Sequence, residues 1–124
     1  DEPAPTKLVS QTTPPEPVGP ALITLAAYDE LEDKIDGVSG PVILDFFADW
    51  CGPCRTQSKI LHDLEDTAAE HETLIIKINV DDHPKIAKQF AVRSLPTLVM
   101  VKDGEIVERQ TGVANKSRLA SWMQ

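Results

Sequence analysis

Between Pro41 and Ala48 the chain runs Val-Ile-Leu-Asp-Phe-Phe, apolar at odd and even positions alike and interrupted only by Asp45. A strand that is apolar on both faces has to be covered on both, so this segment reads as the central strand of a sheet with helices on each side. The rest of the chain from Ala21 onward agrees, because its patterns alternate between a period of 2 and a period of 3.6, as an α/β domain requires.

Ala21 to Leu25 reads as a short first strand, and Asp29 to Ile35, with Leu31 and Ile35 four apart, as a surface helix ending at Gly37. After the central strand, Ile60, Leu61, Leu64 and Ala68 recur at helical spacing with acids outside, which predicts one long helix from near Cys51 to just before Thr73. Leu74 to Val80 is a second buried strand, interrupted by Lys77, and Pro84 to Phe90 a helix opened by its proline. Leu98 to Lys102 and Glu105 to Gln110 flank Asp103-Gly104, a pair suited to a type I′ hairpin turn. A last amphipathic helix runs from Asn115 as N-cap through Leu119, Trp122 and Met123, with Trp122 expected in the core. The expected order is βαβαβαββα, a central mixed sheet flanked by helices.

Composition narrows the function. Twenty acidic against twelve basic residues give a formal charge of -8, and no basic cluster interrupts the balance, which argues against nucleic acid and anionic membrane as partners. Apolar runs are a handful of residues, where a membrane-spanning helix needs about 20, so no membrane insertion is expected. Six prolines, Pro3, Pro5, Pro14, Pro15, Pro17 and Pro20, fall in residues 1–20 with little apolar among them. That stretch reads as a flexible arm ahead of a folded domain at 21–124.

The two cysteines, Cys51 and Cys54, are too few for a disulfide scaffold and sit at the junction of the central strand and the long helix. Two cysteines at i and i+3 on a first helical turn have Cβ atoms about 5 to 6 Å apart, close enough to form and break a disulfide. Unpaired N–H groups and the helix dipole favour a thiolate there. Cys51, nearer the helix end, is expected to be the attacking nucleophile, and Cys54, one turn inside and more covered, to resolve the mixed disulfide, with Arg55 as a nearby cation. The same spacing also serves as half of a zinc site. Two further ligands would then have to come from His62, His71 and His83, and the first two lie nine residues apart on or beyond the far part of the helix, so no metal is expected.

The run from Asp45 to Arg55, Asp-Phe-Phe-Ala-Asp-Trp-Cys-Gly-Pro-Cys-Arg, resembles the active site of the thioredoxin family, with every residue of Trp50 to Cys54 matching. The resemblance extends over 21–124 through Lys77 to Asp81, Ser94 to Thr97, Lys102 to Gly104, and Gly112. It implies a thioredoxin fold and a thiol-disulfide oxidoreductase that reduces protein disulfides, re-reduced by a thioredoxin reductase or other electron donor. It needs no cofactor beyond the Cys51–Cys54 disulfide, and a monomer is expected. It further implies that Asp45 is a buried carboxylate behind the cysteines, that Lys77 lies near it, and that Pro96 is a cis-proline facing the disulfide. A buried Asp45 either finds a polar partner or stays partly protonated, in which state it accepts the proton of Cys54 through a water. A cis Pro96 leaves the Leu95 backbone open to an extended substrate by strand addition, with Trp50, Gly52, Pro53, Leu95, Gly112 and Val113 as an apolar rim. Gly52-Pro53 offers no imidazole to stabilise a thiolate, which predicts a reductant.

Three features depart from the family pattern. Phe47 stands where thioredoxins often have a second tryptophan, and Lys59 where many have a helix-kinking proline, which predicts a straighter long helix. The arm is extra length. A cytoplasmic enzyme is expected; the arm and the absent initiator methionine make an exported or membrane-tethered reductase, periplasmic for example, the alternative, and a thioredoxin-fold binding module is the rival from another class.

Overall fold

A computed structural model of the chain describes residues 20–124, and the arm assigned to residues 1–20 lies outside them except for Pro20. The elements are β1 (Leu22–Thr24), α1 (Leu31–Ile35), β2 (Val42–Phe47), α2 (Gly52–Asp63), α3 (Glu65–Glu70), β3 (Leu74–Asn79), α4 (Pro84–Gln89), β4 (Thr97–Lys102), β5 (Glu105–Thr111) and α5 (Lys116–Trp122).

Side-chain parity along β2 divides the core in two. Val42, Leu44 and Phe46 meet Ile76 and Ile78 of β3, Val99 and Val101 of β4, and the apolar sides of α1 and α4. Ile43 faces the opposite way, against Ile75, Leu98, Leu61 of α2, Ala68 of α3, and Leu119 and Trp122 of α5. Both faces are covered, as the uninterrupted apolar run requires. Phe46 is fully buried with its ring centroid 5.5 Å from that of Phe90; burying a side chain of this size contributes about 1.5–3 kcal/mol.

The sheet order is β1-β3-β2-β4-β5, with β1, β3 and β2 parallel and β4 and β5 antiparallel, which is the thioredoxin fold. β2 is paired on both sides, Asp45 standing opposite Lys77 of β3 and Leu98 of β4. Residues opposite in a ladder share a face, so Asp45 and Lys77 emerge on the side covered by α2, in line with Ile43 and Ile75. Among the described residues no helix is long and apolar enough to cross a membrane.

Local chemistry accounts for the turns. Asp103 and Gly104 both have positive φ, 53° and 81°, as the type I′ hairpin demands. Asn115 caps α5, its side-chain oxygen accepting from the Arg118 N–H at 2.8 Å.

The single long helix is not what forms. The chain is helical without interruption across Lys59, as the lack of proline there permits, but breaks at Leu64 into α2 and α3, giving the order βαβααβαββα. At Leu64 the backbone sits at φ -98°, ψ 4°, and its N–H bonds three residues back to Leu61 O at 3.0 Å. This 3₁₀-type contact tightens the turn and ends the α-helical ladder. Glu65 and Asp66 then open α3, where carboxylates suit the positive end of the helix.

Gly40, just before β2, is a close-approach glycine. A Cβ there would overlap the carbonyl oxygen of Glu72, a backbone atom unable to rotate away. Gly40→Ala is expected to destabilise the fold by about 1–3 kcal/mol through backbone displacement; a urea midpoint unchanged from the parent would contradict this.

Candidate active site

The site is built where β2 hands over to α2. Cys51 is the N-cap of α2, with extended backbone, and Gly52 and Pro53 form the first turn, where proline's missing N–H costs nothing. Cys51 and Cys54 form a disulfide, their Cα atoms 5.3 Å apart. The Cys54 N–H donates to Cys51 Sγ at 3.2 Å, and no acidic residue lies in the first turn. A negative charge on Cys51 sulfur therefore meets an aligned donor and the helix dipole, with no carboxylate on that turn to repel it. Burial does not separate the two residues as expected, since Cys51 is 6% and Cys54 4% exposed. Their difference lies in the N–H directed at Cys51. Arg55 turns to the loop before the cysteines, donating to Asp49 O at 3.1 Å.

On the side of β2 covered by α2, Asp45 is fully buried, and neither carboxylate oxygen has a hydrogen-bond partner among the described residues. Burial pushes its pKa from 3.8 up to about 7, against the opposing pull of the Lys77 charge. Lys77 lies near it as the register requires, but its ammonium donates to Ser58 Oγ at 2.6 Å and sits 5.1 Å from the centre of the Phe47 ring. No Asp45–Lys77 ion pair forms among the described residues. Ser58 carried no signal in the sequence; a serine one turn past Cys54 reads as surface.

In front lies an open groove of about 580 Å³ bordered by Trp50, Cys51, Gly52 and Pro53 on one side and the segment Val92 to Leu95 on the other. Leu95 also packs against Ala48 and the two cysteines. Trp50 is 69% exposed at the edge of the groove, held by an indole N–H bond to Asp81 Oδ2 at 3.0 Å, whereas Trp122 is buried in the core as expected. The Leu95–Pro96 peptide is cis. Pro96 is itself buried, and its carbonyl accepts from the Gly112 N–H at 2.8 Å. Pro96, Gly112 and Val113 are not among the residues bordering this groove; Gly112 and Val113 form a second segment tied through that bond to Pro96, the neighbour of Leu95. Among the described residues the Leu95 N–H and C=O make no hydrogen bond.

The sequence reading also missed Gln57, fully buried and bonded both ways to the backbone of Ala114. The signal was there, since a polar residue at 57 falls on the stripe of Cys54, Leu61 and Leu64 that faces the core. Arg93, at the groove's rim, was likewise passed over.

The thioredoxin family model matches residues 22–124. A thioredoxin from Chlamydia trachomatis is 41% identical over 100 residues, covering 79% of this chain and 92% of its own. One from Chlamydia caviae is 47% identical over 81 residues, covering 65% and 78%. Among solved structures, a thioredoxin variant from Halobacterium salinarum superposes with a TM-score of 0.75 at 30% identity over 87% of this chain and 93% of that one. The thioredoxin of Fasciola hepatica gives 0.62 at 33%, over 68% and 79%. Sequence, sheet order and disulfide agree, and the chain belongs to the thioredoxin family, a thiol-disulfide oxidoreductase whose redox-active disulfide is Cys51–Cys54.

Proposed function

We propose that the two cysteines divide the reaction between them, Cys51 attacking and Cys54 resolving. The Cys51 thiolate attacks one sulfur of a substrate disulfide, forming a mixed disulfide and releasing the other sulfur as a thiolate. Cys54 then gives its proton to Asp45 and attacks Cys51 Sγ, which regenerates the Cys51–Cys54 disulfide and releases the second substrate thiol. Two electrons pass to the substrate, and a thioredoxin reductase or other dithiol donor restores them. The observation that carries this order is the Cys54 N–H aimed at Cys51 Sγ, which favours charge on Cys51.

Asp45 suits the second step because its raised pKa brings it close to that of a thiol. Lys77, anchored by Ser58, supplies a charge that limits how far that pKa rises. An extended substrate segment pairs with the open Leu95 backbone beside cis-Pro96, while Trp50, Gly52, Pro53, Gly112 and Val113 meet its side chains. Residues 21–124 form the catalytic unit, which acts as a cytoplasmic monomer on protein disulfides and not on nucleic acid; 1–20 is an accessory arm.

The order of attack is testable with insulin. Mixed with it, the reduced Cys54→Ser variant is expected to accumulate a covalent adduct seen by mass spectrometry and lost on adding dithiothreitol, whereas Cys51→Ser forms none. An adduct on Cys51→Ser alone would reverse the assignment.

A further inference from the structure

We propose that Gln57 is a positioning residue, whose side-chain amide locks the Gly112–Ala114 segment to the helix carrying the cysteines so that the two halves of the docking surface move as one. The inference rests on the reading above that Gly112 and Val113 meet the substrate.

Gln57 lies one turn beyond Cys54 on the same face of α2 and is fully buried. Its Nε2 donates to Ala114 O at 3.1 Å, and its Oε1 accepts from the Ala114 N–H at 2.7 Å. A primary amide thus takes the place of a strand partner, satisfying both polar groups of a residue that is itself fully buried. The segment has two other backbone anchors, Gly112 N–H to Pro96 O at 2.8 Å and Gln110 Nε2 to Val113 O at 2.9 Å. Those tie it to the sheet. Gln57 alone among these contacts joins it to α2, on which Cys54 sits. An apolar side chain of equal length fills the same space but leaves the Ala114 N–H and C=O unpaired in the interior, a state relieved only if the segment moves toward water.

The test separates protein docking from thiol chemistry. For Gln57→Met, the KM for insulin is expected to rise about 5-fold or more, the worth of one net hydrogen bond, with kcat retained. Reduction of 5,5′-dithiobis(2-nitrobenzoic acid), too small to span both segments, should keep its parent rate. Amide hydrogen exchange at Ala114 should accelerate in the same variant. Gln57→Asn, too short to reach both backbone groups, gives the same split should the methionine variant not fold. A lower melting temperature with unchanged insulin KM, or an equal loss on both substrates, overturns the proposal. Val113→Asp is the control for the underlying reading. If it leaves the insulin KM unchanged, the segment does not dock substrate and both ideas fall; if it raises KM while the Gln57 variants do not, only the role of Gln57 falls.

Discussion

With Cys51→Ser present, insulin is reduced by dithiothreitol no faster than by dithiothreitol alone. Serine at the N-cap of α2 keeps the capping geometry, and its hydroxyl accepts the Cys54 N–H as well as sulfur does. What it lacks is a form that ionises near neutral pH, so the donor and the dipole at this position have no thiolate to favour. Unfolding does not account for the loss. The Cys51–Cys54 bridge closes a ring of only four residues, for which the chain-entropy relation gives about 2 kcal/mol at 25 °C, and the reduced parent forgoes the same amount. A far-ultraviolet circular dichroism spectrum and urea midpoint matching the reduced parent are therefore expected beside the null rate. Residual acceleration by a folded Cys51→Ser protein would show that Cys54 alone sustains turnover.

The parts of this architecture that were legible in the sequence are those written in nearest neighbours. Two-sided apolarity over Val42–Phe47 states that both faces are covered; Asp103-Gly104 and Asn115 state turns through local backbone preference. The disulfide was legible because its partners are three residues apart on an element whose start the strand announces. Gln57 and Ala114 are 57 positions apart, and nothing at either predicts the other, although a lone amide on an apolar stripe does announce that a buried partner exists. Ser58 and Lys77 meet only because β3 lies alongside β2 under α2, which fixes where the lysine's flexible stem can reach. The break at Leu64 escaped because apolar periodicity runs through it unchanged: Leu61, Leu64 and Ala68 all stay in the core on either side of the irregular turn. Periodicity reports which face is buried and is silent about one tightened hydrogen bond. Family pattern did no better, since it directed attention to Lys59, where the helix is regular.

Replacing Asp45 by asparagine is expected to flatten the dependence of stability on pH and to slow resolution of the mixed disulfide at neutral pH. In the unfolded chain this carboxyl ionises near 3.8, in the fold near 7. Below pH about 4 it is protonated in both states and its burial carries no ionic penalty. Between about 4 and 7 the folded protein holds a proton that the unfolded chain has released, so stability is lost as pH rises, at about 1.4 kcal/mol per pH unit. Above pH about 8 the accumulated loss reaches about 4 kcal/mol, from roughly three units of displacement. Asparagine cannot ionise, so that slope should vanish, leaving the variant more stable than the parent at pH 8 and no more stable at pH 4. Urea unfolding at several pH values measures this directly; curves that stay parallel from pH 4 to 8 would mean that Asp45 does not titrate in this range. In the mechanism proposed above, the same carboxylate takes the Cys54 proton. If Asp45 is the base for Cys54, as proposed, single-turnover decay of the mixed disulfide at pH 7 should slow by about 10²-fold in the asparagine variant. Its rate should then rise with pH only as the thiol itself ionises, whereas the parent's rises through about 7. A buried carboxylate with no partner among the described residues is expensive for the fold, and on the proposed mechanism its removal is expected to give a sturdier and slower protein, as a trade of stability for activity predicts.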